Sequence, residues 1–463
     1  MIRAADGILR IEAEGVDVLD AGGLRGELID RLIRTAVFGN DEAQKVSRWL
    51  IRVAAPAAAA YPASIHELYL ACGRGEYAHR TTPAINLRGL TYDMARTVMQ
   101  AAHQVDTKLV VFELARSEMG YTEQRPAEYA TNVLAAAIKE GWRGPVYIQG
   151  DHYQVNAGKY AYDSEAETAA VRDLAVEAIA AGYYNIDIDA STVVDLDRRT
   201  VREQQEANYE RTAELTDVIR SREPAGLTVS VGGEIGEVGG RNSTIEELDG
   251  FMEGYRVALQ RRSEASGHEI AGISKISVQT GTSHGGVPLA DGTIADVSVD
   301  FDTLERLSDA ARSRYQLGGA VQHGASTLPE EAFDRFAQAG AVEVHLATAF
   351  QNQIFDSANF PRQLLDDIYV HLAANHADER KDNQTDAQFY YTTRKRAFGP
   401  FKRQLWDLSE DTRGAIMDEL RPTFKLIMER LGVANSGDLA ERFTTRVDVD
   451  IPAPESMRTK MTP

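Results

Sequence analysis

The chain alternates between two hydrophobic patterns. From about residue 83 onward, short runs rich in β-branched residues alternate with longer stretches in which apolar positions recur every three or four residues. The first pattern predicts strands and the second predicts amphipathic helices. Eight strands are predicted, at residues 84–87, 108–114, 145–150, 183–189, 227–233, 272–278, 319–322 and 342–346. Helices are predicted between them at residues 91–103, 126–140, 165–181, 201–222, 245–263, 301–312 and 329–339.

This alternation predicts an α/β fold, because strands joined through helices pair in parallel. Eight units of this kind favour a (β/α)8 TIM barrel, and a doubly wound open sheet is the rival. A barrel places functional residues directly after its strands, and unusual residues follow at least six of the predicted strands. We therefore predict a catalytic barrel over residues 81–356.

Both ends of the chain are predicted to be mainly helical. Residues 1–80 form an N-terminal extension, with helices at 24–37 and 42–54. Residues 357–450 form a C-terminal extension, and residues 451–463 form a tail with three prolines. The C-terminal extension has predicted helices at residues 364–374, 385–396, 410–431 and 437–443. The extensions could cover the barrel or form an interface between two copies, so a homodimer is one expected assembly.

Composition narrows the function classes. The 463 residues are 43% apolar and 26% charged, with a net charge of −20. A surface this acidic repels phosphate backbones, so we expect no nucleic-acid partner, although a local pocket could hold a small anion. The only cysteine, Cys72, excludes an intrachain disulfide and a cysteine-rich zinc module. The start lacks the apolar run of a signal peptide, and no stretch approaches the roughly 20 apolar residues that span a bilayer. We therefore expect a cytoplasmic protein without a membrane partner.

Three histidines follow predicted strands. His152 comes after the third strand, His284 after the sixth and His323 after the seventh. No local spacing motif links them, so only a fold that gathers strand ends would bring them together. Three neutral imidazoles suit a borderline divalent ion such as zinc, with a coordination position left for substrate. For any one of these histidines alone, a surface or hydrogen-bonded role would be the simpler interpretation.

Carboxylates accompany these histidines at the predicted strand ends. Asp151 precedes His152, and both reach the barrel mouth only if the chain turns, which Gly150 permits. Asp189 and Glu234 end two further strands, where buried carboxylates could orient a metal ligand or act as acid or base. Asp189 could instead cap the following segment.

Glycines follow several predicted strands. Residues 232–243, named here the lid loop, lack the order of a dinucleotide-binding fingerprint, and we interpret them as a mobile lid. Gly285, Gly324, Ser326 and Thr348 follow the last three strands, a place where barrels often bind phosphate. Ordinary turn chemistry is the alternative explanation.

Five motifs appear in a fixed order: Gly-Asp-His, Asp-Ile-Asp-Ala-Ser, Gly-Glu-Ile-Gly-Glu-Val-Gly-Gly, Gly-Thr-Ser-His-Gly and His-Gly-Ala-Ser-Thr-Leu-Pro. Together they resemble the class II, metal-dependent ketose-bisphosphate aldolases, which include fructose- and tagatose-bisphosphate aldolases. The resemblance covers about residues 83–352. Residues 112–129 also resemble the non-catalytic subunit of bacterial tagatose-bisphosphate aldolase and related sugar epimerases.

The resemblance implies a (β/α)8 barrel and reversible aldol cleavage of a phosphorylated ketose, with fructose 1,6-bisphosphate as the first expected substrate and dihydroxyacetone phosphate as a product. One zinc ion would polarise the carbonyl as a Lewis acid. Its ligands would be His152, His284 and His323, and Glu234 and Asp189 would support the metal shell.

The resemblance also implies roles at the substrate. Asp151 would handle the proton on the hydroxyl at the cleaved bond. The phosphate would be held by Gly285, Gly324, Ser326 and Thr348, and a monovalent cation would lie near Gly285 and Ser326.

Three positions depart from the family pattern, and at one of them Thr327 stands where the family has Gly after the His-Gly-x-Ser motif. The family usually has acidic residues directly after the lid glycines, one of them the base at the enolising carbon, but Arg241 stands there. The base could then be Glu237, Glu246 or Glu247, and Arg241 would bind phosphate through its forked guanidinium. His345 replaces the family's Asn in strand eight and would contact substrate, with a metal contact as the alternative.

Three function classes follow from these observations. A class II aldolase is favoured by the phosphate-type loops. A metal-dependent epimerase of ketoses or keto-sugar acids is the second, because both reactions enolise next to a carbonyl. A non-catalytic partner subunit is the third, and the retained histidines argue against it.

Overall fold

The computed structural model describes residues 5, 7–12, 15–236, 240–281 and 298–457. The strands are β1 Leu9–Glu12, β2 Gly15–Val18, β3 Ala60–Ala63, β4 Thr82–Asn86, β5 Val111–Ala115, β6 Gly144–Gln154, β7 Asn185–Asp189, β8 Ser230–Glu234, β9 Lys275–Val278, β10 Ala320–Gln322 and β11 Glu343–Leu346. The α-helices are Ala21–Gly23, Ile29–Phe38, Asp41–Ala57, His66–Gly73, Thr91–Gln104, Arg116–Thr122, Pro126–Glu140, Ala157–Tyr162, Ser164–Ala181, Val201–Gln204, Glu206–Arg220, Ile245–Ser266, Phe301–Tyr315, Phe333–Gln338, Thr348–Asp356, Arg362–Asn375, Asp386–Thr393, Lys402–Trp406, Glu410–Arg430 and Gly437–Phe443. A π-helical segment, Leu24–Leu28, and 3₁₀ turns at Ser191–Val193, Glu330–Ala332, Ala377–Glu379 and Arg394–Ala397 complete the set.

Strands β4–β11 form a closed parallel barrel. Their order is β6-β5-β4-β11-β10-β9-β8-β7, and β7 pairs back onto β6 to close the ring. Each of the eight coincides with a predicted strand, so the TIM-barrel prediction is confirmed and the open sheet is wrong. The strands are buried on both sides, which explains why they appear in the sequence as short apolar runs without polar alternation.

Local signals set the helix boundaries. The Pro126–Glu140 helix begins with proline in its first turn and ends at Gly141, whose φ of 66° suits a residue without a Cβ. The Ile245–Ser266 helix begins with a capping box, in which Thr244 and Glu247 each bond the other's backbone amide. Within the described part of the chain, no helix has the length and apolar character needed to cross a membrane.

The N-terminal segment contains strands that its helical pattern did not predict. Strands β1 and β2 form an antiparallel hairpin, and β3 adds a ninth parallel strand beside the first half of β6. The Asn185 side chain fills the fork between β3 and β7: its amide donates to the carbonyls of Ala63 (3.1 Å) and Ile148 (3.0 Å), and its oxygen accepts from the Ile65 amide (2.9 Å). Strands of four residues carry too little periodicity to be recognised in an alanine-rich sequence.

The C-terminal extension packs over the loop that follows β4. The Phe398 ring lies so close to Gly89 that a Cβ there would sit 2.0 Å from the ring. Lys402 bonds Glu128 on a barrel helix at 2.8 Å, and Arg394 pairs with Asp356. This packing places the turn that contains Lys395 beside the carboxyl ends of the barrel strands.

Candidate active site

A cavity of about 450 Å³ lies at the carboxyl ends of the barrel strands, the face on which TIM barrels carry their active sites. Nine of the residues that the sequence predicted for the site line this cavity: Asp151, His152, Asp189, Glu234, His323, Gly324, Ser326, His345 and Thr348. Glu237, His284 and Gly285 lie outside the described residues. The structure therefore brings together most of the predicted set, from strands that are far apart in the sequence.

Asp151, His152 and His323 form a compact group at the floor of this cavity. Because the cavity opens at the mouth of the barrel, we name the group the mouth cluster. One potential ligand atom from each lies within 4.8 Å of the other two. Asp151 Oδ1 is 3.6 Å from His323 Nε2 and 3.9 Å from His152 Nε2, and the two imidazole rings are 4.2 Å apart between centroids. These are the separations of groups that could share one ion.

A backbone irregularity allows Asp151 and His152 to face the same cavity. The β6–β7 register shifts between Gly150 and Tyr153, and His152 has a φ of 41°, in the left-handed region. The turn thus lies at His152, where a non-glycine residue costs roughly 1–3 kcal/mol, and not at Gly150 as the sequence suggested. Gly150 is needed for another reason, since a Cβ there would meet the Tyr153 ring at 2.3 Å.

Two carboxylates orient His152. Its Nδ1 lies 3.2 Å from both Asp189 Oδ2 and Glu234 Oε2. Asp189 is itself held by the Ser191 hydroxyl (2.7 Å), the Ser191 amide (3.1 Å) and the Gln154 amide (2.6 Å). Asp189 therefore both stabilises the turn after β7 and contacts the imidazole. Carboxylates placed behind a histidine in this way direct its other nitrogen toward a metal.

Electrostatics favour ion-binding forms of His323 and Asp151. Although burial opposes them, Asp151, Glu234 and Asp189 raise the pKa of His152 well above its usual value, so a bound ion would displace a proton from this ring. Burial, His345 and His152 together lower the pKa of His323 well below its usual value, so the ring is neutral at neutral pH. Although burial opposes it, the neighbouring His152 and His345 lower the pKa of Asp151 well below its ordinary range. Burial and Asp189 raise the pKa of Glu234 to about 7. A neutral imidazole and an ionised carboxylate are the forms that bind divalent ions, so the donor set fits a metal.

Three of the predicted phosphate residues, Gly324, Ser326 and Thr348, line the cavity. Gly324 adopts a φ of 72°, and the Ser326 hydroxyl accepts from the Ala349 amide at 3.3 Å. Thr348 is the first residue of the Thr348–Asp356 helix, whose N-terminus favours negative charge.

Arg241, at the far end of the lid loop, and Glu247 beyond it lie apart from this cavity. Arg241 does not line it; its side chain is 67% exposed and donates to Glu247 at 2.7 Å. Glu247 also accepts from the Thr244 amide at 2.8 Å, so its carboxylate serves the helix start. The roles expected for Arg241, Glu246 and Glu247 remain predictions.

Two cations on the cavity wall were not predicted. Arg88 donates from Nε to Glu118 at 2.7 Å and from one terminal nitrogen to Gln351 at 2.9 Å. Lys395 comes from the C-terminal extension, and burial together with Arg88 lowers its pKa. Arg88 directly follows a predicted strand and could have been found. No sequence signal marks Lys395, because an amphipathic pattern does not show which element the helix contacts.

Below the cavity, the barrel interior contains a buried ion network, named here the interior network, of Gln149, Asp187, Lys275 and Glu343. Lys275 Nζ lies 2.9 Å from Asp187, 2.5 Å from Glu343 and 2.8 Å from the side-chain oxygen Oε1 of Gln149. Gly232 makes room for it, since a Cβ there would lie 2.3 Å from Asp187 Oδ1. Barrel interiors are mostly filled by Val, Ile and Leu. Charged residues inside the predicted strands could therefore have indicated a buried ion network from the sequence.

Sequence and structure comparisons agree with this architecture. The sequence model of the family described as Fructose-bisphosphate aldolase class-II matches residues 64–398. No curated protein matches the chain significantly in sequence.

Among solved structures, a probable tagatose 6 phosphate kinase from Sinorhizobium meliloti 1021 has a TM-score of 0.53 and 15% identity, covering 78% of this chain and 97% of its own. The fructose-bisphosphate aldolase of Campylobacter jejuni has a TM-score of 0.45 and 16% identity, covering 80% and 94%. A fructuronate-tagaturonate epimerase from Cohnella laeviribosi has a TM-score of 0.48 and 12% identity, covering 96% and 90%. At these identities structural likeness bears on the fold alone. The family match spans more than half of the chain and includes both described histidines of the mouth cluster, and the chain therefore belongs to the class II fructose-bisphosphate aldolase family.

Proposed function

We propose that the chain is a zinc-dependent aldolase that reversibly cleaves a ketose phosphate, with fructose 1,6-bisphosphate as the first substrate to test, into dihydroxyacetone phosphate and an aldehyde. The observation that carries this proposal is the convergence of Asp151, His152 and His323 at the carboxyl ends of two barrel strands, β6 and β10, beside a cavity. A carboxylate next to metal-binding imidazoles is what aldol cleavage requires, because one group must take a proton while the carbonyl is polarised.

His152 and His323 would hold the ion, together with the predicted third ligand His284. When bound, the ion would supply Lewis-acid polarisation of the substrate carbonyl. Asp189 and Glu234 hold the His152 ring in place through its Nδ1 atom.

Asp151 would remove the proton from the hydroxyl at the bond to be cleaved. Its buried, ionised carboxylate lies at the cavity floor between the two imidazoles, where the substrate carbonyl and hydroxyl would both be within reach. As the carbon–carbon bond breaks, its electron pair moves toward the carbonyl side, and a proton is then delivered to the new carbanionic carbon. Glu237 on the lid loop is our candidate for that proton transfer.

The anionic end of the substrate would lie between two walls of the cavity. Gly324, Ser326 and Thr348 provide backbone amides and hydroxyls on one wall. Arg88 and Lys395 add positive charge on the neighbouring wall, because β4 and β11 are adjacent in the barrel. Charge-assisted hydrogen bonds of this kind are the strong ones in anion binding.

The charge balance of the cavity favours a second candidate, a metal-dependent epimerase of a ketose or keto-sugar acid with one anionic group. The charged residues on the described wall, histidines apart, are Arg88, Glu113, Glu118, Asp151, Asp189, Glu234 and Lys395. Five carboxylates against two cations are poorly matched to a bisphosphate, which carries about three to four negative charges. The stretches 237–239 and 282–297, outside the described residues, contain no lysine or arginine that could add positive charge.

A coupled assay separates the two candidates. The zinc-loaded protein is given fructose 1,6-bisphosphate with and without chelator, and aldehyde release is followed. Chelator-sensitive cleavage that zinc restores, and that Asp151→Asn loses, supports the aldolase. In parallel, ketoses and keto-sugar acids are incubated in D2O and examined by NMR. Deuterium entry with formation of an epimer, in the absence of cleavage, supports the epimerase, and inertness of the metal-loaded protein in both assays contradicts both.

A further inference from the structure

The loops after β4 and β5 form a cavity wall around one buried carboxylate. Through its two oxygens, Glu118 accepts from the Asn86 side-chain amide at 2.6 Å and from Arg88 Nε at 2.7 Å. The Ala115 backbone amide donates a further bond at 3.0 Å. The Glu118 side chain is only 7% exposed, so its charge acts mainly on Arg88 beside it. Asn86, Arg88 and Glu118, together with Lys395, are named here the basic wall.

Arg88 is held so that one edge of its guanidinium stays free. Glu118 binds the Nε atom, and the Gln351 side-chain oxygen accepts from Nη1 at 2.9 Å. Nη2 makes no hydrogen bond within the described residues, although Arg88 lines the cavity. A guanidinium that is already fixed loses little conformational freedom when it binds a ligand, and its fork suits planar anions. The free edge is therefore a prepared donor for an anionic group.

Lys395 adds a second positive charge to this wall. Within the described part of the chain, its amine makes no hydrogen bond and no ion pair, and it lies 6.0 Å from the centre of the Tyr121 ring. Burial, Arg88 and Arg396 lower the pKa of Lys395, so a bound anion would stabilise its charged form. Since Glu118 neutralises Arg88, the basic wall has one positive charge in excess.

Asn86 provides an acceptor beside these donors. Because Glu118 can only accept, the Asn86 atom that faces it is the amide nitrogen. The other atom, Oδ1, is buried and has no hydrogen-bond partner among the described residues, and Asn86 lines the cavity. A buried acceptor is costly unless a donor reaches it. A ligand hydroxyl next to the anionic group would supply that donor.

We propose that the basic wall binds the terminal carboxylate of a keto-sugar acid together with the hydroxyl on the neighbouring carbon. This inference rests on the second candidate of the proposed function and narrows its substrate to sugar acids. A carboxylate carries one negative charge, which matches the excess charge of the wall. Its two oxygens can accept from Arg88 and Lys395 at once, while the hydroxyl donates to Asn86.

A phosphate ester matches the basic wall less well. It carries about 1.5–2 negative charges at neutral pH, more than the wall can neutralise. The ionised Asp151 carboxylate on the floor of the same cavity would repel the excess. Charge matching therefore favours the carboxylate.

Isothermal titration calorimetry on the zinc-loaded, full-length protein measures this preference directly. D-Fructuronate and D-fructose 6-phosphate share one ketose skeleton but end in a carboxylate and a phosphate ester, and D-fructose is the uncharged reference. We expect D-fructuronate to bind at least about tenfold more tightly than either other ligand, the lower end of what a hydrogen bond to a charged group contributes.

Variants of the basic wall locate the effect. Arg88→Met and Lys395→Met should each lose about tenfold in affinity for D-fructuronate, because each removes one charged donor, and should change little toward D-fructose. Lys381→Met removes an exposed lysine of the same C-terminal extension and is the matched control. It should bind all three ligands as the parent does.

Tighter binding of D-fructose 6-phosphate than of D-fructuronate overturns the proposal, and so do equal affinities for all three ligands. A folded Lys395→Met protein with the parent's affinity for D-fructuronate overturns it as well. Circular dichroism identifies folded variants, and the preference of the parent decides the question if the variants do not fold. A protein that binds D-fructuronate as expected but catalyses neither reaction contradicts only the proposed function, whereas an active enzyme that prefers the phosphate contradicts only this inference.

Discussion

The interior network and the mouth cluster lie one above the other in the same barrel, and they differ in charge balance. In the interior network, Lys275 lies between two carboxylates and the side-chain oxygen Oε1 of Gln149. The mouth cluster combines two imidazoles with the Asp151 carboxylate beside a cavity, and it contains no lysine or arginine. Removing one partner from a set of paired buried charges lowers stability, whereas imidazole and carboxylate groups that converge beside a cavity can bind a metal ion. The predictions below test this division.

Removing a ligand from the mouth cluster should have the largest effect. His323→Ala should lose bound zinc and reduce activity by more than the roughly 10–100-fold that losing an outer partner of a metal ligand costs. His284→Ala should do the same if it is the third ligand. Metal analysis and the coupled assay measure both quantities. His268→Ala, an exposed histidine outside the cavity, is the control and should match the parent. A His323→Ala protein with full metal content would remove this residue from the metal site.

Asp151→Asn should lower kcat by roughly 10²–10⁴-fold, the usual contribution of a general acid–base group, with little change in KM. The ion at the two imidazoles should be retained, because neither His152 nor His323 is altered. Steady-state kinetics on protein of known metal content provide the measurement. Parent-like turnover in the metal-loaded variant would show that Asp151 only supports the structure.

Lys275→Met should act on stability first. It leaves the buried Asp187 and Glu343 carboxylates without their lysine counter-charge, so the free energy of unfolding should fall by about 3–5 kcal/mol. Adding Glu343→Gln should recover part of the loss, since one unpaired charge is removed. Denaturant titration measures these changes. Lys425→Met, which breaks an exposed Lys–Glu pair one helical turn apart, should cost less than about 1 kcal/mol. If Lys275→Met and Lys425→Met lower the free energy of unfolding by similar amounts, the interior ion pairs matter no more for stability than an exposed pair.

The two regions also differ in how far sequence could anticipate them. The barrel was predictable because buried parallel strands appear as apolar runs of regular spacing. Asp151, His152 and His323 were predictable because parallel strands bring their carboxyl ends together. The left-handed backbone conformation of His152 was not predictable, since the sequence does not show that the Tyr153 ring occupies the space beside Gly150.

Long-range contacts limited the prediction elsewhere. Glu113 and Lys275 stand inside predicted strands, but only the closed barrel shows which charges face one another across its interior. Lys395 reaches the cavity because the C-terminal extension packs on the loop after β4. A helical periodicity in the sequence does not show which part of the protein a helix packs against. Phosphate binding was assigned to Arg241 from its forked guanidinium and its place on the lid loop, and the structure shows its side chain bonded to Glu247.

The smallest expected effects distinguish the two candidate anion partners. Lys395→Ala should raise KM about tenfold, at the lower end of what a hydrogen bond to a charged group contributes, because its amine lines the cavity. kcat should change little, since the anion lies away from the bond being cleaved. Arg241→Ala, a matched loss of one positive charge on an exposed side chain, should raise KM less than Lys395→Ala does. Steady-state kinetics with the same substrate and metal loading compare the two variants. If Arg241→Ala raises KM more than Lys395→Ala, the anion is bound by the lid loop, and the cavity wall formed by the C-terminal extension has no part in holding it.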